Sequence, residues 1–531
     1  MIHTIIAEKA KTTPEKIVLV QGQRRVAYAE LYQKIVRTAS YLVNAGLKKG
    51  DRVGILSENS PEYVMAYFGV QLAGGIAVDI NYQSAPREVQ KIVNHCLPEV
   101  LIVEQRYAAA IAGCVNDCPS LRIVIMLEQR TGKPVPSPSD LSAPRFQRCS
   151  FDEIVSHGEE TAVFPEIMPR DTAAIIYTSG TTGDPKGVML THDNFLSNGW
   201  SIIEYLGLTE HDSVMVILPF CYSYGKSLLT THLMVGGALV LENSFMYPDV
   251  VLKKMAEEEV SSFAGVPSTF AILLNRSAIR KYRFPALRYV TQAGGPMPPQ
   301  HAQELMDILP NTEIYIMYGQ TEAAPRLTYL EPHEVIRKAG SIGKAIPGVT
   351  IELITHEGTL SKVGEEGEIV ASGKNIMSGY WHNPEETAKV LRNGKLFTGD
   401  IARMDDEGYL YMVGRRSDMI KSGAHRISPK EIEEVVLGLA EVHETAVIGM
   451  DDPILGQTVK AIIVLKEGQA LDAKAVQLHC QARLASFKIP KEVQFVPELP
   501  KTNSGKVRRH LLKQHAADMA ASSGKDASIS L

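Results

Sequence analysis

The densest chemistry in this chain lies in Thr178-Ser179-Gly180-Thr181-Thr182-Gly183-Asp184-Pro185-Lys186-Gly187. The segment follows an apolar run, Ala173 to Tyr177, that reads as a strand. Its glycines let successive backbone N–H groups turn toward one anion, its hydroxyls add donors, and Lys186 adds a cation. That donor set suits a polyphosphate. It is not a Walker A loop, because Gly187 follows the lysine where that loop places a hydroxyl for Mg²⁺. Taken alone, the segment also reads as a flexible Gly/Ser/Thr connection. Further motifs follow in order. Tyr318-Gly319-Gln320-Thr321-Glu322 comes after the run EIYIM, and Phe397-Thr398-Gly399-Asp400 precedes IARMDDEGYLYMVGR. Pro500-Lys501-Thr502-Asn503-Ser504-Gly505-Lys506 lies near the C-terminus.

The elements that must position these residues are legible from hydrophobic period. Residues 17–30 read as two strands around a turn at Gly22-Gln23, and 31–47 have helical spacing. Strand–helix alternation continues to about 127 and resumes from Ala173 to about Ile316, which predicts parallel sheets with helices on their faces. Residues 129–150 hold four prolines and little periodicity, so they read as a surface connection. From about 340 to 412 the pattern changes to a smaller β-rich unit with Gly-rich turns. After Gly414 the chain turns basic, and a compact α+β segment follows: a helix at 429–439, strands at 443–450 and 459–466, and a helix at 473–485. Residues 514–531 show no pattern and are expected to fray.

Composition bounds the function. The 531 residues are 45% apolar and 22% charged, ordinary for a globular chain of about three or four packed units. A formal charge of −5 gives no bulk argument for nucleic-acid binding. Six cysteines cannot form a disulfide framework, so a reducing compartment is expected. Cys114 and Cys118 lack a zinc-spaced partner pair and read as thiols. No signal peptide is visible at Met1-Ile2-His3-Thr4. The most apolar stretch, Leu228 to Leu241, is too short to span a bilayer. The C-terminal Ser-Ile-Ser-Leu is not a peroxisomal address. Together these predict a cytoplasmic location.

The motifs, in this order and spacing, resemble those of the adenylate-forming superfamily of acyl-CoA synthetases, adenylation domains and luciferases, over essentially all of 1–512. The resemblance implies a two-step reaction. A carboxylate attacks the α-phosphate of ATP to give acyl-AMP and pyrophosphate, and a thiol then displaces AMP. Both steps build negative charge on oxygen, which calls for positioning and electrostatic stabilisation. By resemblance, Thr178, Ser179, Gly180, Thr181, Thr182, Gly183 and Lys186 hold the β- and γ-phosphates. Thr321 would touch the α-phosphate and Glu322 would hold Mg²⁺. Asp400 would bind the ribose and Arg415 the ribose–phosphate region. Gly294 and Gly295 would flank the adenine, with Tyr318, next to Gly319, stacking on it. Lys506 would bridge the carboxylate and the α-phosphate as a compact cation.

The same resemblance implies an α/β fold with a large N-terminal domain of layered sheets, residues 1–413, including a β-rich subdomain at about 340–413. A hinge at 414–421, a small mobile α+β domain at 422–513 and a disordered tail at 514–531 would follow. Ser417 takes the pivot position where members usually carry Asp or Lys. Ala424, beside Gly423, stands where a tunnel-lining glycine is expected. The acyl pocket is expected from Tyr222 as gate with Ser223, Tyr224, Gly265, Val266, Gln292, Ala293, Gly294, Met317 and Ala323. No Asp or Glu occurs from 220 to 241, which disfavours an α-amino acid. An acyl chain and an aryl acid both fit. Lys226 reads as a helix-surface lysine rather than a partner for a diacid. The short span from Glu322 to Asp400 lacks the insertion of ligases that bypass CoA. The expected co-substrates are ATP with Mg²⁺ and CoA, with a carrier-protein phosphopantetheine as the rival thiol. A non-catalytic nucleotide-binding protein is the remaining alternative, and Glu322, Asp400, Arg415 and Lys506 together speak against it.

Overall fold

Apolar strands and the helices between them build the architecture, seen in a computed structural model that describes residues 1–116, 118–128, 146–179, 185–422, 425–452, 455–501, 507–509 and 511–516. Packing divides the chain into two units. One comprises Met1–Ile351 with Ala371–Leu396, and the other comprises Glu352–Val370 with the chain from Phe397 onward.

The first unit holds two sheets. In one, the strand order is Gly379–Tyr380, Pro185–Thr191, Thr172–Ser179, Ile76–Asp79, Arg52–Leu56, Val100–Glu104, Ile123–Leu127, Gln147–Ser150. It is parallel from Thr172–Ser179 onward, and antiparallel where Pro185–Thr191 folds back on Thr172–Ser179. In the other, Glu313–Gly319, Tyr289–Gln292, Ser262–Gly265, Ser213–Val216, Ala238–Leu241 and Ile17–Gln21 run parallel in that order. Antiparallel strands Arg326–Leu330 and Arg24–Ala27 flank it. The buried parallel strands are near-continuous apolar runs, as burial on both faces requires.

Helices fill the space around the sheets. Pro61–Leu72 starts with Pro61 in its first turn, where a missing N–H costs nothing, and Ser60 caps it by accepting from the Tyr63 N–H. It is apolar on all sides and buried almost throughout, so it lies inside the core rather than on a surface. Tyr28–Asn44 overlaps the predicted 31–47 helix, starting and ending three residues earlier, and buries Tyr28, Leu31, Ile35, Ala39 and Leu42 at helical spacing. The apolar stretch 228–241 is split: the helix Ser223–Val235 ends at Gly236 in the left-handed region, φ +84°, and the strand Ala238–Leu241 follows.

The expectation for 129–150 needs correction at its end. Residues 129–145 lie outside the described residues, but Gln147–Ser150 is an edge strand parallel to Ile123–Leu127. Backbone pairing supplies what its polar side chains do not advertise. In the second unit, Asp400 to Met404 of the strand Lys395–Met404 pair with Leu410–Arg415. Val442–Asp452, Gly456–Leu465, Ile420–Ser422, His425–Ile427 and Glu492–Phe495 form a further sheet. The helices Pro429–Leu437 and Ala473–Gln481 pack with it around Ile432, Val436, Val447, Ala461 and Val476.

Candidate active site

Residues scattered over a hundred positions converge because parallel strands end on one edge of the sheet. Gly265, Gln292 and Gly319 each terminate a strand of one parallel set, and Ser213–Val216 leads toward Tyr222 on the same edge. The crevice outside such carboxyl ends is where open α/β sheets bind ligands. The structure therefore gathers the predicted acyl residues. Tyr222 is the N-cap of the helix Ser223–Val235, and its phenol accepts from Asn81 Nδ2 at 2.9 Å. Ser223 Oγ lies 3.0 Å from Thr321 Oγ1, joining the acyl side to the expected α-phosphate ligand. The Tyr224 hydroxyl lies 2.8 Å from Thr291 Oγ1. Gln292 is fully buried and donates to the Gly295 carbonyl at 2.8 Å. Ala293, Met317 and Ala323 are buried as well. Val266 opens the helix Pro267–Arg276, and Gly294 has φ +90° with a Cβ position 3.2 Å from Val266. The backbone thus stays bare beside this wall.

The expected phosphate segment is a hairpin. Thr178 sits directly opposite Lys186 across its two strands. Gly180, Thr181, Thr182, Gly183 and the Ser179 side chain lie outside the described residues. Lys186 Nζ is 2.5 Å from Glu386 Oε2 and 5.3 Å from the centre of the Tyr380 ring. Hydrogen bonds from Lys186 and Lys389 hold the Glu386 carboxyl down at about 2. The Tyr380 hydroxyl in turn donates to Glu322 Oε1 at 2.8 Å. The expected metal carboxylate and the expected phosphate lysine therefore share one phenol, the lysine over its ring and the carboxylate at its hydroxyl. Glu322 stands in the short turn Thr321–Ala323, whose entry needs Gly319: a Cβ there would fall 1.9 Å from the Pro325 carbonyl oxygen. Tyr318 packs against the cluster of Ala323, Leu327, Ala371, Ile376 and Leu396.

In the second unit, Asp400 and Arg415 face each other in register, and Arg415 Nε donates to Asp400 Oδ1 at 3.0 Å. Asp400 is buried and Arg415 exposed. Ser417 is exposed, its hydroxyl 3.1 Å from Asp418 Oδ1. Lys506, Gly423 and Ala424 lie outside the described residues.

One expectation is overturned. Lys226 is not on a helix surface but wholly buried. Its Nζ lies 3.1 Å from Asp79 Oδ2, donates to the Tyr63 hydroxyl at 2.5 Å and sits 3.3 Å from the centre of the Tyr67 ring. The helix Ser223–Val235 is buried from Gly225 to Met234, so it has no solvent face to offer a lysine. Burial pushes the Lys226 ammonium down and the Asp79 carboxyl up, each opposed by the attraction between them. Asp79, Asn81, Tyr380 and Glu386 escaped prediction because no spacing links them to the motifs. Arg326 escaped too, although an arginine in the apolar run after Ala324-Pro325 was a visible oddity. It is 3% exposed and lies over the Tyr224 ring at 4.8 Å.

With this geometry in hand, comparison with known proteins is decisive. The family model for the AMP-binding enzyme matches residues 6–381, and that for the AMP-binding enzyme C-terminal domain matches 431–506. A feruloyl-CoA synthase from Amycolatopsis sp. is 32% identical over 499 residues, 94% of this chain and 96% of that protein. A long-chain-fatty-acid–CoA ligase from Bacillus subtilis (strain 168) is 31% identical over 535 residues, 97% of this chain and 94% of that protein. The crystal structure of ATP-bound MatB from Rhodopseudomonas palustris superposes with a TM-score of 0.87 at 28% identity, covering 98% of this chain and 100% of that one. A fold, a strand-end site and a pair of family matches spanning both ends of the sequence agree, and the chain belongs to the AMP-binding enzyme family.

Proposed function

We propose that the chain is an AMP-forming acid–thiol ligase that makes an acyl-CoA. The observation that carries this reading is the Lys186–Tyr380–Glu322 arrangement beside the Thr178 hairpin, with Ser223 touching Thr321. It sets a cation, a carboxylate and hydroxyls around the strand-end crevice, the donor set an activated phosphate needs. The residues fit the groups they would hold. Glu322 presents hard carboxylate oxygens suited to Mg²⁺, and Gly319 keeps the backbone bare next to it. When bound, Mg²⁺ would offset charge on the phosphate oxygens. Lys186 and Thr178 would bind the outer phosphates, and Thr321 would orient the α-phosphate toward an acid lying past Tyr222. Asp400 would accept from the ribose hydroxyls, with Arg415 orienting its carboxylate. Lys506 would join the acid and the α-phosphate. Ser417 would be the pivot of a C-terminal domain beginning near 422, with Gly423 and Ala424 lining the thiol path.

CoA is the thiol this reading assigns, and the CoA ligases among the relatives support it over a carrier protein. The test is acid-dependent ATP–pyrophosphate exchange, followed by thioester formation with CoA or with a holo carrier protein. Exchange without any acid dependence would defeat the proposal, and thioester on the carrier alone would move the assignment to the rival thiol. Lys506→Ala is expected to abolish most acyl-adenylate formation while sparing thioester formation from supplied acyl-AMP. Equal loss of both half-reactions would remove Lys506 from its role.

A further inference from the structure

Arg326 is a buried cation that the fold leaves over. Its backbone is clamped: its N–H donates to Asn198 Oδ1 at 3.3 Å, and its carbonyl accepts from Asn198 and Asn375, each at 3.0 Å. The strand Arg326–Leu330 pairs with Glu313–Gly319, with Arg326 opposite Gly319, so the side chain belongs to the strand-end edge already described. The guanidinium lies against the Tyr224 ring and the Tyr205 phenol. Its Nε is buried without a hydrogen-bond partner, and among the described residues it forms no ion pair with an Asp or Glu. The other cations of this region are neutralised: Lys226 by Asp79, and Arg288 by Asp212 at 2.7 Å. A guanidinium cannot shed its proton to escape burial, so an unpaired one in the interior calls for an anion.

The surrounding space says what kind of anion. Arg326, Tyr224, Thr291 and Met317 line one cavity of about 10 Å³, and Tyr224 and Met317 are walls of the expected acyl pocket. That volume holds about one water, or the terminal oxygen of a ligand. Behind it the room is taken by tyrosines. Tyr205 and Tyr329 stack at 4.2 Å, and Tyr315 packs on Tyr205 and Tyr289 at 6.1 and 6.2 Å. The rest of the cavity lining is largely apolar, with Ile202, Leu206, Val214, Leu228 and Phe263, and Arg326 is its one permanently charged side chain.

We infer that Arg326 is the specificity determinant of the acyl pocket, and that the acid this enzyme activates is short and carries a second carboxylate, or an equivalent anionic oxygen, at its far end. This rests on the proposed ligase function. The planar fork of a guanidinium matches a carboxylate through paired, charge-assisted hydrogen bonds.

The test is ATP–pyrophosphate exchange with matched acids: hexanoate against adipate, benzoate against isophthalate, and palmitate as a long chain. The wild type is expected to favour the second-carboxylate member of a pair by about tenfold or more in kcat/KM, the scale of one charge-assisted contact, and to leave palmitate unused. Arg326→Met should abolish that preference through KM, bringing the second-carboxylate acid down to the level of its monoacid partner, and Arg326→Lys should restore part of it. Circular dichroism checks that each variant is folded. If Arg326→Met is not, the wild-type panel and Arg326→Lys decide. Equal use of paired acids, turnover of palmitate, or uniform loss on all acids in Arg326→Met would overturn the inference while leaving the ligase function standing. Silence with every acid would remove the ligase function and this inference with it.

Discussion

Single residues in this site are held by partners that a substrate must displace. Lys186 is engaged by Glu386 in the free protein. Both side chains are partly exposed, and an ion pair of that kind contributes only about 0–1 kcal/mol, so a polyphosphate can exchange for the carboxylate at small cost. Glu386→Gln is therefore expected to tighten ATP binding by up to about fivefold, read by titration calorimetry. Weaker binding would instead mean that Glu386 holds Lys186 in position. The grouping of Gly319, Thr321 and Glu322 was legible in the sequence, because all three fall within four positions around one turn. At Gly319 the neighbour across the turn leaves room for no side chain. Glu386 and Tyr380 were not legible, since they reach Lys186 and Glu322 from 200 and 58 positions away.

At the scale of elements, the helix Ser223–Val235 organises the acyl side. Tyr222 and Ser223 stand at its start, and it is pinned to the strand Ile76–Asp79 and the helix Pro61–Leu72 by Lys226, Asp79 and Tyr63. A buried pair of this kind is weak evidence for net stability but costly to break on one side. Lys226→Met alone should destabilise the protein by about 3–5 kcal/mol in urea unfolding, because it strands the Asp79 carboxylate. Adding Asp79→Asn should recover a large part of that loss, whereas additive losses would show that the two groups do not interact. The sequence reading put Lys226 on a helix but on a solvent face that this helix does not have. Hydrophobic period marks which face is apolar, and a helix buried on every side has no polar face for it to mark.

For the molecule as a whole, buried histidines set a limit in acid. Burial holds His232 at about 4, with its Nδ1 on the Leu228 carbonyl and Asp212 and Arg288 as lesser influences. His192 is likewise held at about 4 and His3 at about 3. Each pKa is lowered in the fold, so the unfolded chain binds the extra proton between about 6.5 and 4. The stability is complete above the unfolded value and is lost as pH falls through that window. His232 alone should account for about 3 kcal/mol between pH 7 and pH 4. His232→Gln, compared with wild type by urea unfolding at both pH values, should flatten the dependence by that amount, and an unchanged slope would exclude His232 as a cause. The sequence by itself determined the order of the motifs, the alternation that makes parallel sheets, and hence the family, because these depend on local spacing and on period. Only the tertiary structure decided which charges are spent and which remain. Lys226 finds Asp79 from 147 positions away, while Arg326 finds no carboxylate among the described residues. A linear pattern records that a charge exists, but its neutralisation is a matter of what the fold brings within hydrogen-bonding distance in a medium that screens poorly.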